Sequence, residues 1–313
     1  MGDHAVHYYD DDEGFVATVS AHLIAGLEGG ERVLAIASAA HLADLEHLLG
    51  TRLDVSLARE SGQLVLLDAA RTLELFMVDG SPDPVLFRTH LARHIAEARR
   101  GGERVRAFGE MVALLWDQGN VAGAIELEDL WNDLLEHEEF SLLCAYPTSA
   151  LIGVSLLDVQ RVCHLHSTVL PPPSYESTAP AASGAGEHPD VRSGVFVPVA
   201  EAVRATRRFV FGVLEGWGLP DLEWDAALVA SELANNAVRH GASPFRVMVS
   251  RAGDGVRIGI QDVAPGQPRQ RSATSDDVDG RGMTIVVALS TVWGCESLAD
   301  GKYTWAELAA PSA

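Results

Sequence analysis

Residues Leu228 to Gly241, LVASELANNAVRHG, hold the densest set of side chains able to do chemistry in this 313-residue chain. At 100° per residue they divide into two faces. Ala230, Leu233, Ala234, Ala237 and Val238 form an apolar stripe, while Glu232, Asn235, Asn236, Arg239 and His240 gather opposite. Gly241 is placed to stop the helix. Glu232, Asn236 and His240 recur at i, i+4 and i+8, so three polar groups stack along one line. A solvated face would carry Lys and Glu pairs. Two adjacent Asn instead cost roughly a few tenths of a kcal/mol each, which asks for a compensating role. A carboxylate and a carboxamide one turn apart suit a hard cation and a polarised water. The segment alone also reads as a polar surface helix ending in Gly.

The elements that must position these groups lie on either side. Pro198–Trp217 reads as a helix with Val203, Phe209, Val213 and Leu214 inward, and Asp221–Gly241 is the key helix with its lead-in. Phe245–Ala252 and Val256–Val263 alternate as strands joined by Gly-Asp-Gly, a strong hairpin signal. Asp262 shares parity with Val256, Ile258 and Ile260 and so points to the buried side, where an unpaired carboxylate is costly. An adenine amino group would supply the donor. Ala264–Asp279, APGQPRQRSATSDDVD, has the composition of a lid. Gly280-Arg281-Gly282 then opens a helix over Met283–Val292, where backbone N–H groups and the helix dipole favour phosphate. Cys295–Leu298 and Tyr303–Leu308 form a second hairpin across Ala-Asp-Gly-Lys.

A Glu/Asn helix, an Asp-ended strand, a lid and a GxG helix start, in that order within about 55 residues, resemble the GHKL ATPase superfamily. Within it they resemble the branch of anti-sigma-factor serine kinases. SELANNAVRHG is similar to the N box, which implies Glu232 as general base and Asn236 as Mg²⁺ ligand, with His240 where that branch usually has a histidine. DVAPG resembles the first glycine box, with Asp262 on adenine and Gly266 in the lid hinge. GRGMTIVVALSTVWG resembles the second, with Gly280, Arg281 and Gly282 at the phosphates, and GKYTWAEL, with Thr304, resembles the closing strand of the nucleotide site. The resemblance implies an α/β sandwich, the Bergerat ATP-binding fold, with a mixed sheet carrying helices on one face. It also implies ATP and Mg²⁺ as cofactors, and a sigma factor and a STAS-like anti-sigma-factor antagonist as partners, the antagonist phosphorylated on Ser or Thr. Members of that branch often form homodimers. One departure stands out: the first box usually reads DxGxG, and Ala264 replaces the earlier Gly. Ala264 and Pro265 stiffen the turn, and the methyl group crowds the base. A non-catalytic module that sequesters a partner is therefore the alternative. A histidine kinase would need a helical hairpin presenting His before the ATPase domain, and a Pro/Gly/Ser stretch holds that place.

Residues 1–168 read as a three-layer α/β domain. Arg32–Ser38, Gln63–Asp68, Arg104–Glu110 and Phe140–Tyr146 are apolar enough for buried strands. The amphipathic segments Phe15–Leu27, Ala40–Leu49, Pro84–Arg99 and Ala122–Leu135 lie among them. This rhythm predicts a mainly parallel sheet covered on both faces, with ligands at the carboxyl ends of strands, where Ser38, Asp68, Glu110 and Tyr146 stand. Gly26-Leu-Glu-Gly-Gly-Glu31 precedes the first predicted strand and is no phosphate loop, which must follow one. His90 with His94, and the run Cys163, His164, His166, offer metal ligands, but a solvated helix face and the end of a domain core explain them as well. HAVHYYDDDEGFVATVSAHLIAGLEGGERVLAI, FGEM and LLCAYP resemble the MEDS sensory domain over residues 4 to 168. That implies an input module responding to a small organic molecule.

Between the halves, Leu170–Val195, LPPPSYESTAPAASGAGEHPDVRSGV, is too poor in apolar residues to bury a core. It is expected as a linker over 169–195, with the ATPase-like domain at 196–313. The net charge of −21 argues against nucleic acid and against anionic membrane surfaces. Three scattered cysteines fit a reducing, cytoplasmic setting. The acidic N-terminus lacks the basic, then apolar, form of a signal peptide, and no apolar run approaches ~18 residues.

Overall fold

The computed structural model describes residues 3–99, 102–177, 189–264 and 281–310. The chain divides into two units, Met1–Gly153 with Arg161–Pro172, and Val154–Gln160 with Pro173–Ala313.

In the first unit, strands and helices alternate along the chain. They are β1 (His4–Tyr9), α1 (Asp12–Glu28), β2 (Arg32–Ala37), α2 (Ala39–Gly50), α3 (Val55–Glu60), β3 (Leu64–Asp68) and α4 (Ala69–Glu74). A small hairpin of β4 (Met77–Val78) and β5 (Ser81–Pro82) leads to α5 (Pro84–Phe87), a π-helical turn and α6 (Arg93–Arg99). Then come β6 (Val105–Gly109), α7 (Met111–Asp117), α8 (Val121–His137), β7 (Phe140–Pro147), α9 (Leu156–Leu165), in which the division falls, and β8 (Thr168–Leu170). The large sheet runs β3-β2-β6-β7-β1-β8, and every neighbouring pair is parallel.

Alternation sends successive side chains of each strand to opposite faces. Leu143 and Ala145 of β7 join Phe15, Val19 and Leu23 of α1 and Leu45 and Leu49 of α2 in one apolar cluster. On the other face Tyr8 and Tyr146 stack at 6.0 Å, and Trp131 of α8 meets Phe140 at 6.1 Å. The parallel sheet covered on both faces is as expected. Two strands go beyond the expectation: β1 and β8 pair with each other, and β1 also pairs with β7. In β1, two His and two Tyr within six residues conceal a segment that is almost wholly buried. Pro84–Arg99 is not one continuous α-helix, because Arg88–Ala92 takes the π form.

The second unit continues through β9 (Val191–Phe196), α10 (Glu201–Trp217), α11 (Glu223–Asn236), β10 (Phe245–Ala252), β11 (Gly255–Asp262), α12 (Arg281–Leu289), β12 (Val292–Leu298) and β13 (Gly301–Leu308). Its sheet runs β12-β13-β11-β10-β9, with antiparallel pairing at all four junctions. Phe245, Val247 and Val249 of β10, Val256, Ile258 and Ile260 of β11, and Thr304, Ala306 and Leu308 of β13 are buried at alternate positions. They back the buried sides of α10 and α11, giving the α/β sandwich that the sequence predicts. The helix expected to reach Val292 ends at Leu289, since the Thr291 N–H already bonds the Glu307 carbonyl at 2.9 Å and Val292 pairs opposite Glu307. Among the described residues no helix is long and apolar enough to cross a membrane.

Candidate functional site

Seven residues of α11 and the turn after it, from Ala226 to Ala237, face inward: Ala226, Ala227, Val229, Ala230, Leu233, Ala234 and Ala237. The opposite face holds Glu232 and Asn236 one turn apart, both half-buried. Burial raises the Glu232 carboxyl above the ordinary carboxylate range. The first turn of α12 lies against this carboxylate. A Cβ built at Gly282 would come within 2.6 Å of Glu232 Oε2, so the backbone at 282 passes directly beside this carboxylate. The packing of α12 on α11 thus brings Gly282 against Glu232, with Asn236 one turn further along the same helix.

The sequence line of three polar groups changes past Asn236. Ala237–Gly241 is π-helical, and this wider turn sets His240 behind the line of Glu232 and Asn236 and leaves it exposed, with Val238 only half-buried. Nor does Gly241 supply the left-handed stop. Ala242 does, at φ 42° and ψ 40°. Gly241 is small for another reason: a Cβ there would sit 3.1 Å from the Ala264 methyl and 3.2 Å from Ser243 Cβ.

Asp262 is buried at 3% exposure, as its parity predicts. Its Oδ1 accepts from Lys302 Nζ at 2.7 Å and from the Ala264 N–H at 2.9 Å. Lys302 also donates to the Ala264 carbonyl at 3.1 Å. Asp262 and Lys302 face one another in the β11–β13 register, and Ile260 faces Thr304 two pairs further on. Thr304 is buried and its Oγ1 donates to Cys295 Sγ at 3.4 Å. Sequence reasoning placed Lys302 in a turn and so missed it; β13 starts at Gly301 rather than Tyr303, and its pairing with β11 sets Lys302 opposite Asp262. Ser243 was also missed: its buried hydroxyl accepts from the Val263 N–H at 3.2 Å and ties the end of β11 to the loop before β10. Arg281 is the first residue of α12; its side chain, together with Gly266 and Gly280, lies outside the described residues.

Of the four strand-end groups in the first unit, two converge. The Ser38 N–H donates to Glu110 Oε2 at 2.8 Å, and His41 Nδ1 lies 2.7 Å from Glu110 Oε1. Burial would lower the His41 imidazole, but Glu110 and then Asp12 outweigh it and raise it. Asp68 instead caps α4 through the Arg71 N–H at 2.9 Å, and the Tyr146 hydroxyl donates to Glu128 at 2.9 Å.

Residues 3–165 match the MEDS family, described as the methanogen/methylotroph, DcmR sensory domain. Residues 196–305 match a histidine kinase-like ATPase domain, in keeping with the GHKL-like fold of the second unit. No curated protein matches the chain. A sensory domain followed by a kinase-like ATPase domain is the composition of a signalling regulator, and the second domain's class implies ATP, typically with Mg²⁺.

Proposed function

The chain belongs to the MEDS family, and from this premise we propose that it is a cytoplasmic regulator whose ATPase-like domain works as an anti-sigma-factor serine kinase. The observation that carries the reading is the meeting of Glu232 with Gly282, with Asn236 one turn along the same helix. ATP with Mg²⁺ would supply the phosphoryl group and the charge neutralisation that such transfer needs. Asn236 would hold the cation. Glu232, its carboxyl raised by burial, would accept the proton of an attacking Ser or Thr hydroxyl. The start of α12 would offer backbone N–H groups to phosphate, and Asp262 would face the base. The partners in this reading are a sigma factor and a STAS-like anti-sigma-factor antagonist, the latter as phosphoacceptor. A small organic molecule at the sensory domain would be the input.

A second reading, a partner-sequestering module with a degenerate nucleotide site, draws on Asp262. The oxygen offered to a base already holds Lys302 and the Ala264 N–H, and Ala264 fills space against Gly241. Labelled ATP, Mg²⁺ and a purified STAS-type antagonist separate the two. The kinase reading expects label on Ser or Thr of the antagonist, reduced about 10²–10⁴-fold by Glu232→Gln. Nucleotide-independent capture of a partner without label would favour sequestration.

A further inference from the structure

Away from the strand ends, four side chains of the first unit meet in its interior: His4 from β1, Glu128 from α8, Cys144 from β7 and His166 just beyond α9. All are buried, His166 most exposed at 7%. His4 Nε2 lies 3.4 Å from Cys144 Sγ and 3.4 Å from Glu128 Oε2. Cys144 Sγ lies 3.3 Å and His166 Nε2 3.5 Å from the same oxygen. A tetrahedral zinc-type ion with bonds of about 2.0–2.3 Å sets its ligand atoms about 3.3–3.8 Å apart. Four of the six separations fit that interval, and all six are within 4.8 Å.

The outer hydrogen bonds fix which ring nitrogens carry protons. His166 Nδ1 is 2.6 Å from the Val162 carbonyl, which can only accept, so that nitrogen donates. Asn132 Nδ2 donates to the Leu165 carbonyl at 2.9 Å, which turns Asn132 Oδ1 toward His4 Nδ1, also at 2.9 Å. Each neutral imidazole therefore presents a lone pair at Nε2. Both lone pairs face a carboxylate oxygen, an arrangement that repels unless a cation lies among them. The Tyr146 hydroxyl occupies the other oxygen of Glu128 and leaves Oε2 to the centre. A buried carboxylate on the apolar face of α8 is costly without such compensation.

We propose that His4, Glu128, Cys144 and His166 form a closed, four-coordinate site for one zinc-type divalent ion, which ties β1, α8, β7 and the segment after α9 together. With all four positions taken by protein, the ion is structural. The competing arrangement is metal-free, an imidazolium of His166 paired with Glu128. Either cation answers the charge of the buried Glu128 carboxylate, whose Oε2 lies 3.5 Å from His166 Nε2.

The test uses the full chain, produced once in ordinary medium and once in zinc-depleted medium supplied with Co²⁺. We expect about one zinc per chain by atomic emission, and in the cobalt protein a thiolate-to-cobalt charge-transfer band with the strong visible absorption of a tetrahedral ion. Cys144→Ser should lose the charge-transfer band. Cys163→Ser should keep it, because Cys163 lies outside the cluster with its thiol 3.8 Å from the Tyr8 hydroxyl. A wild-type chain with neither stoichiometric zinc nor a cobalt spectrum overturns the proposal whatever the variants do. A charge-transfer band that survives in Cys144→Ser overturns it as well.

Discussion

Glu232 and Lys302 carry the strongest local consequences. Burial holds the Glu232 carboxyl above its ordinary range, and a general base works only when deprotonated. Phosphoryl transfer should therefore rise with pH through this raised value, and the acid limb should vanish from the residual rate of Glu232→Gln. A limb left in place by the substitution would assign it to another group. Lys302 neutralises a carboxylate that is 3% exposed, and is itself largely covered. Lys302→Met should cost about 2 kcal/mol in denaturant unfolding, and Asp262→Asn added to it should recover most of the loss. Ala242 is held at φ 42°, where a Cβ costs about 1–2 kcal/mol. Ala242→Gly should stabilise the second unit by about 1 kcal/mol, partly offset by the greater freedom of Gly in the unfolded chain.

At the scale of elements, the site depends on two pieces of geometry that residue types alone do not reveal. The first is the β11–β13 register, which sets Asp262 against Lys302. Gly301 makes it possible: it sits at φ 128°, and a Cβ there would run into the Asp262 carbonyl oxygen. Gly301→Ala should cost on the order of 3 kcal/mol of stability by thermal or denaturant melts, from backbone strain and overlap together. The second is the π turn that follows α11, which displaces His240 from a line that 3.6-residue periodicity draws straight through it. The parity of Asp262, the start of α12 and both hairpins were legible because alternation and glycine placement act locally. The buried quartet was not, since its members lie up to 162 residues apart, between His4 and His166. Two local signs existed: His166 stands in the run Cys163, His164, His166 of candidate ligands, and Glu128 stands on the α8 stripe with Ile125 and Trp131, where an apolar residue belongs.

For the molecule as a whole, the alternation of apolar runs and amphipathic helices sufficed to predict a covered parallel sheet, while β1 stayed hidden behind its His and Tyr content. That strand also imposes a pH dependence. Burial, opposed only weakly by Asp10, pushes the His7 imidazole down to about 4, and neither ring nitrogen has a hydrogen-bond partner among the described residues. The unfolded chain takes up this proton near pH 6.5 and the folded chain near 4, so the contribution is complete above 6.5 and is lost as pH falls between these values. The loss amounts to about 3 kcal/mol, and His7→Leu should flatten that part of the stability profile measured by denaturant unfolding from pH 7 to 4. Calorimetric titration with a non-hydrolysable ATP analogue decides whether the second unit takes ATP with Mg²⁺ through Asn236. Mg²⁺-dependent binding in the micromolar range is expected for the wild type, and its loss in Asn236→Ala. No binding by the wild type, or equal binding by the variant, would contradict this role of Asn236.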